Sequence, residues 1–168
     1  MDAGGGGAQL HSAAVGKLPL SSLALLPRGA GQHPLVLCGS YDNGVHAYSV
    51  DYGRAVGRLE GAHEDAVAAM AAPPAAPGQL LTASWDTCVR LWDIAEGRGI
   101  GAGGGAQAPL AEMVDHDAPV HALACDEAGG LVLSGDEDGV VAAWDARAPG
   151  AAWQAAPCAG GGVATLAV

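Results

Sequence analysis

Phenylalanine is absent from these 168 residues, and aromatic side chains make up only 4% of them. A core built on stacked rings is therefore excluded, and packing falls to Leu, Val, Ala and the few Trp and Tyr residues. Lys and Arg together number seven against 18 Asp and Glu, a formal charge of −11. So few cations cannot supply the basic footprint that phosphate backbones require, so no nucleic-acid partner is expected. The four cysteines, Cys38, Cys88, Cys125 and Cys158, form no CxxC pair and are too widely spaced for a zinc knuckle, so reduced, strand-borne thiols are expected. No N-terminal run joins basic residues to a long apolar stretch, so the reading expects neither a signal peptide nor direct membrane insertion, with cytoplasmic residence as the default.

What the chain does have is a half-apolar composition, enough for a core, and a motif that returns. Residues 35–50 read LVLCGSYDNGVHAYSV, residues 80–94 LLTASWDTCVRLWDI, and residues 131–146 LVLSGDEDGVVAAWDA. In each, an apolar strand ends in small residues, an Asp follows, and an aromatic stands six positions later: Asp42 and Tyr48, Asp86 and Trp92, Asp138 and Trp144. The Asp-to-Asp intervals are 44 and 52 residues. Such a period with a terminal Trp-Asp resembles a WD40 β-propeller blade. The fold class expected is all-β, a partial WD40 propeller of three four-stranded blades plus one strand of a fourth.

Alternation and turn residues divide the chain accordingly. Residues 1–17, opening MDAGGGGAQ, read as a flexible leader. A first blade covers 18–60, with strands at 18–26, 34–40, 45–50 and 54–59 and the hairpin signal Asn43-Gly44 between the middle two. The second covers 63–113, with strands at 66–71, 79–84 and 88–94. Its interval is lengthened by the glycine-rich insert 97–108, read as a loop to its outer strand. The third covers 116–156, with strands at 119–125, 130–136, 140–145 and 151–156. Residues 162–168 are expected to begin a fourth. Three blades and a strand do not close a ring, so the chain reads as a fragment or as half of an assembly completed by self-association.

The WD40 resemblance implies a buried network in each strong blade, formed by a His before the first strand, a hydroxyl on the second, the turn Asp and the third-strand Trp. The second blade offers His63, Thr82 or Ser84, Asp86 and Trp92; the third offers His116, Ser134, Asp138 and Trp144. The His-to-Trp distances, 29 and 28 residues, are nearly equal. Their role is structural, because buried polar groups must satisfy one another. In the first blade, Asp42 and Tyr48 hold the matching positions, with Tyr48 in place of the usual Trp. That replacement, Ala62 between Gly61 and His63, and Ala159 where a His is expected all imply looser blades.

Chemistry beyond structure finds little footing. Asp115, His116, Asp117 and His121 crowd together with metal-ligand side chains, and a metal-binding or hydrolytic module centred there is the rival reading, although no second ligand set with defined spacing appears. No GxSxG elbow is present, and Ser-His-Asp sets recur once per blade as structural networks do. The glycines at 101–105 lack the following Lys and Ser or Thr of a phosphate loop. No catalytic residue and no cofactor is expected.

Function is expected at the rim. In the resembling family the residue before the turn Asp points to the top face, and here Tyr41, Trp85 and Glu137 hold that position, with partial burial against a neighbouring blade as the other reading of Trp85. Glu64, Asp65, Asp115 and Asp117 would flank them. The acidic rim with two aromatics suits a protein or peptide partner of basic or mixed charge. The stretches SYDNGVHAYSVDYGR, LEGAHEDAV, LLTASWDTCVRLWD, LAEMVDHDAPVHAL and AAPCAGGGV are, in that order, similar to the propeller of the BEACH-WD40 family. That resemblance implies a scaffold in receptor signalling or membrane traffic, held near membranes by upstream domains.

Overall fold

The computed structural model describes residues 14–28, 31, 33–73, 75–94, 100, 107–127, 130–146, 148, 153–155 and 161–166. Among these residues twelve strands form three antiparallel sheets of four. The first holds β1 (Leu20–Leu26), β2 (Leu35–Ser40), β3 (Val45–Ser49) and β4 (Arg54–Leu59) in chain order. The second holds β5 (Val67–Ala71), β6 (Gln79–Ser84), β7 (Val89–Asp93) and β8 (Ala111–Met113), and the third β9 (Val120–Cys125), β10 (Leu131–Asp136), β11 (Val141–Asp145) and β12 (Trp153–Ala155). Each sheet is a blade of a partial propeller. Short turns join the middle strands of each blade, within a blade each strand after the first pairs with the one before it, and the register follows from the period-two alternation of apolar residues.

The blades stack face to face on the residues that this alternation turns inward. Between the first and second blades pack Leu37, Val45, Ala47, Leu59, Leu80 and Trp92. Between the second and third pack Leu81, Val89, Leu91, Val132, Ala142 and Trp144. Trp92 and Trp144 thus each face the preceding blade. Ser21 on β1 also hydrogen bonds the backbone oxygen of Val67 on β5, tying the first strands of adjacent blades. The face of the first blade turned away from the second leaves Leu23 and Leu25 exposed.

Two expectations change here. Residues 162–166 form no strand; instead the Val163 amide donates to the Asp136 carbonyl at 2.8 Å. Val163 lies over Gly135, where an added Cβ would stand 2.4 Å from a Val163 methyl. Only glycine at 135 admits this close approach, as Gly39 does for Val67 at the start of β5, and it holds the segment against the third blade. Ala62, expected to loosen the second blade, is fully buried, and its carbonyl accepts a 2.9 Å bond from Arg90. Residues 1–13, most of the glycine-rich insert, Cys158 and Ala159 lie outside the described residues.

Candidate functional site

The networks come first, because they fix the corners that carry the candidate site. In the second blade Trp92 Nε1 donates to Thr82 Oγ1 at 2.8 Å, and that oxygen lies 2.7 Å from His63 Nε2. His63 Nδ1 lies 2.9 and 3.0 Å from the Asp86 carboxylate oxygens. Proton bookkeeping decides the tautomer. Arg90 Nη1 lies 2.9 Å from the Ala62 carbonyl, Asp86 Oδ2 and His63 Nδ1 but has only two hydrogens, which the two oxygens take; the ionised Asp86 can only accept, so the proton between His63 and Asp86 belongs to His63 Nδ1. Nε2 is then the acceptor and Thr82 the donor. Burial pushes the His63 pKa below the ordinary 6.5 despite the pull of Asp86, with the Arg90 charge acting in the same direction as burial, so the ring is neutral at pH 7. Burial alone would raise Asp86, but bonds from His63 and from the Glu64 and Cys88 amides outweigh it and hold the carboxyl well below the usual carboxylate range. Ser84, the other hydroxyl considered, braces the turn instead, donating to the Asp65 carbonyl and accepting the Asp86 amide, both at 3.1 Å.

In the third blade the chain His116, Ser134, Trp144 repeats, but its carboxylate is Asp136, not the expected Asp138. His116 Nδ1 is 2.7 Å from Asp136 Oδ2, His116 Nε2 is 2.7 Å from Ser134 Oγ, and Trp144 Nε1 donates to that oxygen at 2.8 Å. Asp136 stands two residues earlier, where the second blade has Ser84. Its other oxygen accepts the amides of Asp138 at 3.1 Å and Val140 at 2.8 Å, the bonds that Ser84 and Asp86 divide between them. One buried carboxylate thus does the work of two side chains, and Asp138 is left exposed on the turn.

The first blade departs further. Asp42 is bonded by His46 Nε2, at 2.9 and 3.1 Å, an imidazole from β3 rather than from before β1. Arg58 adds a 3.0 Å bond to the Asp42 carbonyl. Where the second blade has Thr82 this blade has Cys38, so no hydroxyl from that position meets the aromatic, and the buried Tyr48 Oη has no partner among the described residues.

These sets share the connectivity of a Ser-His-Asp triad, yet they cannot act as one. Thr82 and Ser134 are wholly buried, and each hydroxyl is already held between an indole N–H and an imidazole. The rival metal reading fails on the same geometry. Both His116 nitrogens are engaged inside the blade, His121 stands edge-on to Trp85 with centroids 5.8 Å apart, and Asp115 and Asp117 are exposed on the loop. Among the described residues no group of His, Cys, Asp and Glu is gathered to hold a metal ion.

The corner residues, by contrast, converge. The Tyr41, Trp85 and Glu137 amides donate to the Pro19, Ala66 and Pro119 carbonyls at 3.2, 3.1 and 3.0 Å, so each corner is pinned to the start of its own blade's first strand. Tyr41, Trp85 and Glu137 then line one cavity of about 500 Å³, with Ala66, His121 and Val163 among the other walls. Tyr41 and Trp85 meet at right angles, 84°, with centroids 5.3 Å apart. Trp85, half-buried between Tyr41 and His121, is both an inter-blade contact and a cavity wall. Glu64, Asp65, Asp115 and Asp117 are exposed on the loops entering the second and third blades, outside the cavity lining. His121, Val163, His46 and Asp136 were not singled out by sequence for these places. The signal available for Asp136 was its place, matching Ser84 when the blades are aligned on Trp92 and Trp144.

Comparison with known proteins agrees with this architecture. The family described as WD domain, G-beta repeat, matches residues 53–93 and 107–145, each match beginning at or before one blade's outer strand and ending with the third strand of the next. A periodic tryptophan protein 2 homolog of Neurospora crassa is 37% identical over 79 residues, covering 46% of this chain and 8% of that protein. Among solved structures, a chain of the Chaetomium thermophilum polycomb repressive complex 2 bound to GSK126 superposes with a TM-score of 0.74 at 19% identity, over 91% of this chain and 35% of that one. A chain of an active polycomb repressive complex 2 in the basal state gives 0.67 at 23%, over 77% and 26%. The computationally designed Ika4 protein gives 0.70 at 21%, over 95% and 85%. This chain therefore spans a small part of the curated relative and about a third or less of the polycomb-complex chains, and the structural likenesses speak for the fold. Repeat match, blade topology and the buried His, hydroxyl and Trp networks together make this chain a WD40-repeat domain, folded as part of a β-propeller.

Proposed function

We propose that this domain is a non-enzymatic platform that binds a protein or peptide of basic or mixed charge on its top face. The observation that carries the reading is the convergence of Tyr41, Trp85 and Glu137 on one cavity beside loops bearing Glu64, Asp65, Asp115 and Asp117. Aromatic side chains supply contact area at small entropic cost, and the acidic loops steer a cationic partner to them. WD40 domains generally act as scaffolds, and polycomb repressive complex 2, which holds one of the similar chains, is a multiprotein assembly. A peptide array of basic, mixed and acidic sequences, read against the wild-type domain and a Glu64→Lys/Asp117→Lys variant, tests it. Basic peptides should bind and should lose affinity on charge reversal and in high salt. Binding that ignores both changes removes the proposal.

The sequence resemblance to BEACH-WD40 proteins, the factor associated with neutral sphingomyelinase activation among them, would put such a platform in receptor signalling or membrane traffic, in the cytoplasm; that placement rests on the resemblance alone. Self-association is a second mode, favoured by exposed Leu23 and Leu25 on the outer face of the first blade. Light scattering decides it: a dimer mass supports it, and a monomer across micromolar concentrations ends it.

A further inference from the structure

We infer that the cavity between Tyr41, Trp85 and Glu137 is an anchor pocket for one basic side chain, Lys or Arg, of the partner peptide. The inference rests on the top-face reading and narrows it to a chemistry.

The cavity's walls select for charge. Tyr41 and Trp85 both line the cavity and meet edge to face at 84°, and the ring surface that Tyr41 leaves exposed attracts a cation through its quadrupole. Glu137 adds a carboxylate from the third blade, exposed rather than folded into the buried network, because Asp136 and His116 complete that network without it. No Lys or Arg is among the described residues that line the cavity, so no guanidinium or ammonium within the lining neutralises this carboxylate, and the one imidazole there, His121, stands edge-on to Trp85. An apolar side chain seated there would strip water from Glu137 without replacing it, and an anion would meet both Glu137 and a chain of net charge −11. A cation on a flexible apolar stem satisfies rings and carboxylate together.

The pocket also has room and a fixed shape. Ala66 and Ala68 bring only methyl groups to the wall, which leaves the volume of about 500 Å³ open to a long side chain. His121 backs Trp85 edge-on and holds its indole in place. On the fourth side Val163, bonded through its amide to the Asp136 carbonyl, closes a wall that would otherwise be solvent.

The test uses the whole 168-residue chain and three capped pentapeptides, Gly-Ser-X-Ser-Gly with X as Arg, Lys or Gln, followed through the tryptophan indole resonances by NMR. The Arg and Lys peptides should shift the Trp85 indole, and the Gln peptide should bind about tenfold more weakly, a difference of about 1.4 kcal/mol. Glu137→Gln should erase most of that preference while leaving the melting temperature unchanged. Equal binding of the Gln peptide, or an undiminished preference in Glu137→Gln, overturns the pocket. Shifts that spare Trp85 but vanish in Glu64→Lys/Asp117→Lys overturn the pocket and leave the broader platform standing. If no basic peptide perturbs any top-face residue, both readings fall.

Discussion

Replacing Asp136 should cost far more stability than replacing Asp138, although the two are neighbours in a run of acids and Asp138 is the one aligned with Asp86. Asp136 is almost wholly buried and accepts from His116 at 2.7 Å, Val140 at 2.8 Å and the Asp138 amide at 3.1 Å. Asp136→Asn keeps one oxygen, enough for the turn amides, but turns an NH2 toward His116 Nδ1, whose proton then has no acceptor unless the ring changes tautomer. In that case Nε2–H confronts Ser134, whose oxygen already accepts from Trp144 and must rotate its own proton elsewhere. Each buried donor left unsatisfied costs about 1–3 kcal/mol, so Asp136→Asn should lose about 2–4 kcal/mol. For a domain of this size that is a fall in melting temperature of roughly 5–15 °C. Asp138→Asn, on an exposed turn, should stay within about 0.5 kcal/mol of wild type. Thermal and urea unfolding followed by circular dichroism would measure both. Equal losses, or a larger one at Asp138, would refute the exchange of carboxylates between the blades.

Other substitutions read different parts of the same structure. Tyr48→Phe removes a buried hydroxyl that has no partner among the described residues and should stabilise by about 1 kcal/mol; a loss of that size would show that Tyr48 Oη is bonded after all. Thr87, at φ 68°, is a β-branched residue in the left-handed region, so Thr87→Gly should be neutral or stabilising by up to about 1 kcal/mol in urea melts, against the usual penalty for adding glycine. Trp92→Ala opens a cavity between two blades and takes the indole N–H from Thr82, a loss of about 3–5 kcal/mol, whereas Trp85→Ala should spare folding and weaken peptide binding. Acid should destabilise in two stages. His63 has a folded pKa below its ordinary 6.5, so unfolded chains take up protons first and stability falls as pH drops below about 6.5; Asp86 then adds a further loss as pH drops through and below 3.8. A melting temperature flat from pH 7 to 4 would contradict the buried neutral ring.

Much of the fold was legible because strands announce themselves locally. Alternation placed β4 and β6 at their observed bounds and most others within a residue or two, and turn residues such as Asn43, Thr87 and Gly139, all at positive φ, mark equivalent corners. The second blade's network was legible for the same reason: four residue types stood at family spacing with no competitor except Ser84. The third blade misled because the side chain that meets His116 need only bring a carboxylate to the right point in space. A strand-end Asp reaches it as well as a turn Asp, so the six-residue spacing that singles out position 138 does not decide which of the two acids meets the ring. What joins different blades was less legible still. The contact of Trp85 with His121 and the seat of Val163 on Gly135 depend on how sheets stack, which no local pattern encodes.

The exchange at Asp136 also bears on why the top face can vary without endangering the fold. Every polar group in the third-blade network points inward and finds its partner within the blade, while the corner residues are pinned to their own blades by their backbone amides, with the Tyr41 and Trp85 rings adding contacts between blades. A Tyr, a Trp and a Glu therefore occupy the same corner in successive blades, because the bond from the amide to the first strand asks nothing of the side chain. Stability is written on the buried second and third strands and recognition on the corners, with little overlap between the two sets. That separation is what a binding platform needs: its contact residues can be replaced to suit a partner while the His, hydroxyl and Trp networks beneath them stay fixed. It also predicts the sign of any trade-off. Corner substitutions such as Glu137→Gln should change affinity at constant melting temperature, and network substitutions such as Asp136→Asn should lower melting temperature and reduce affinity only as the folded fraction falls.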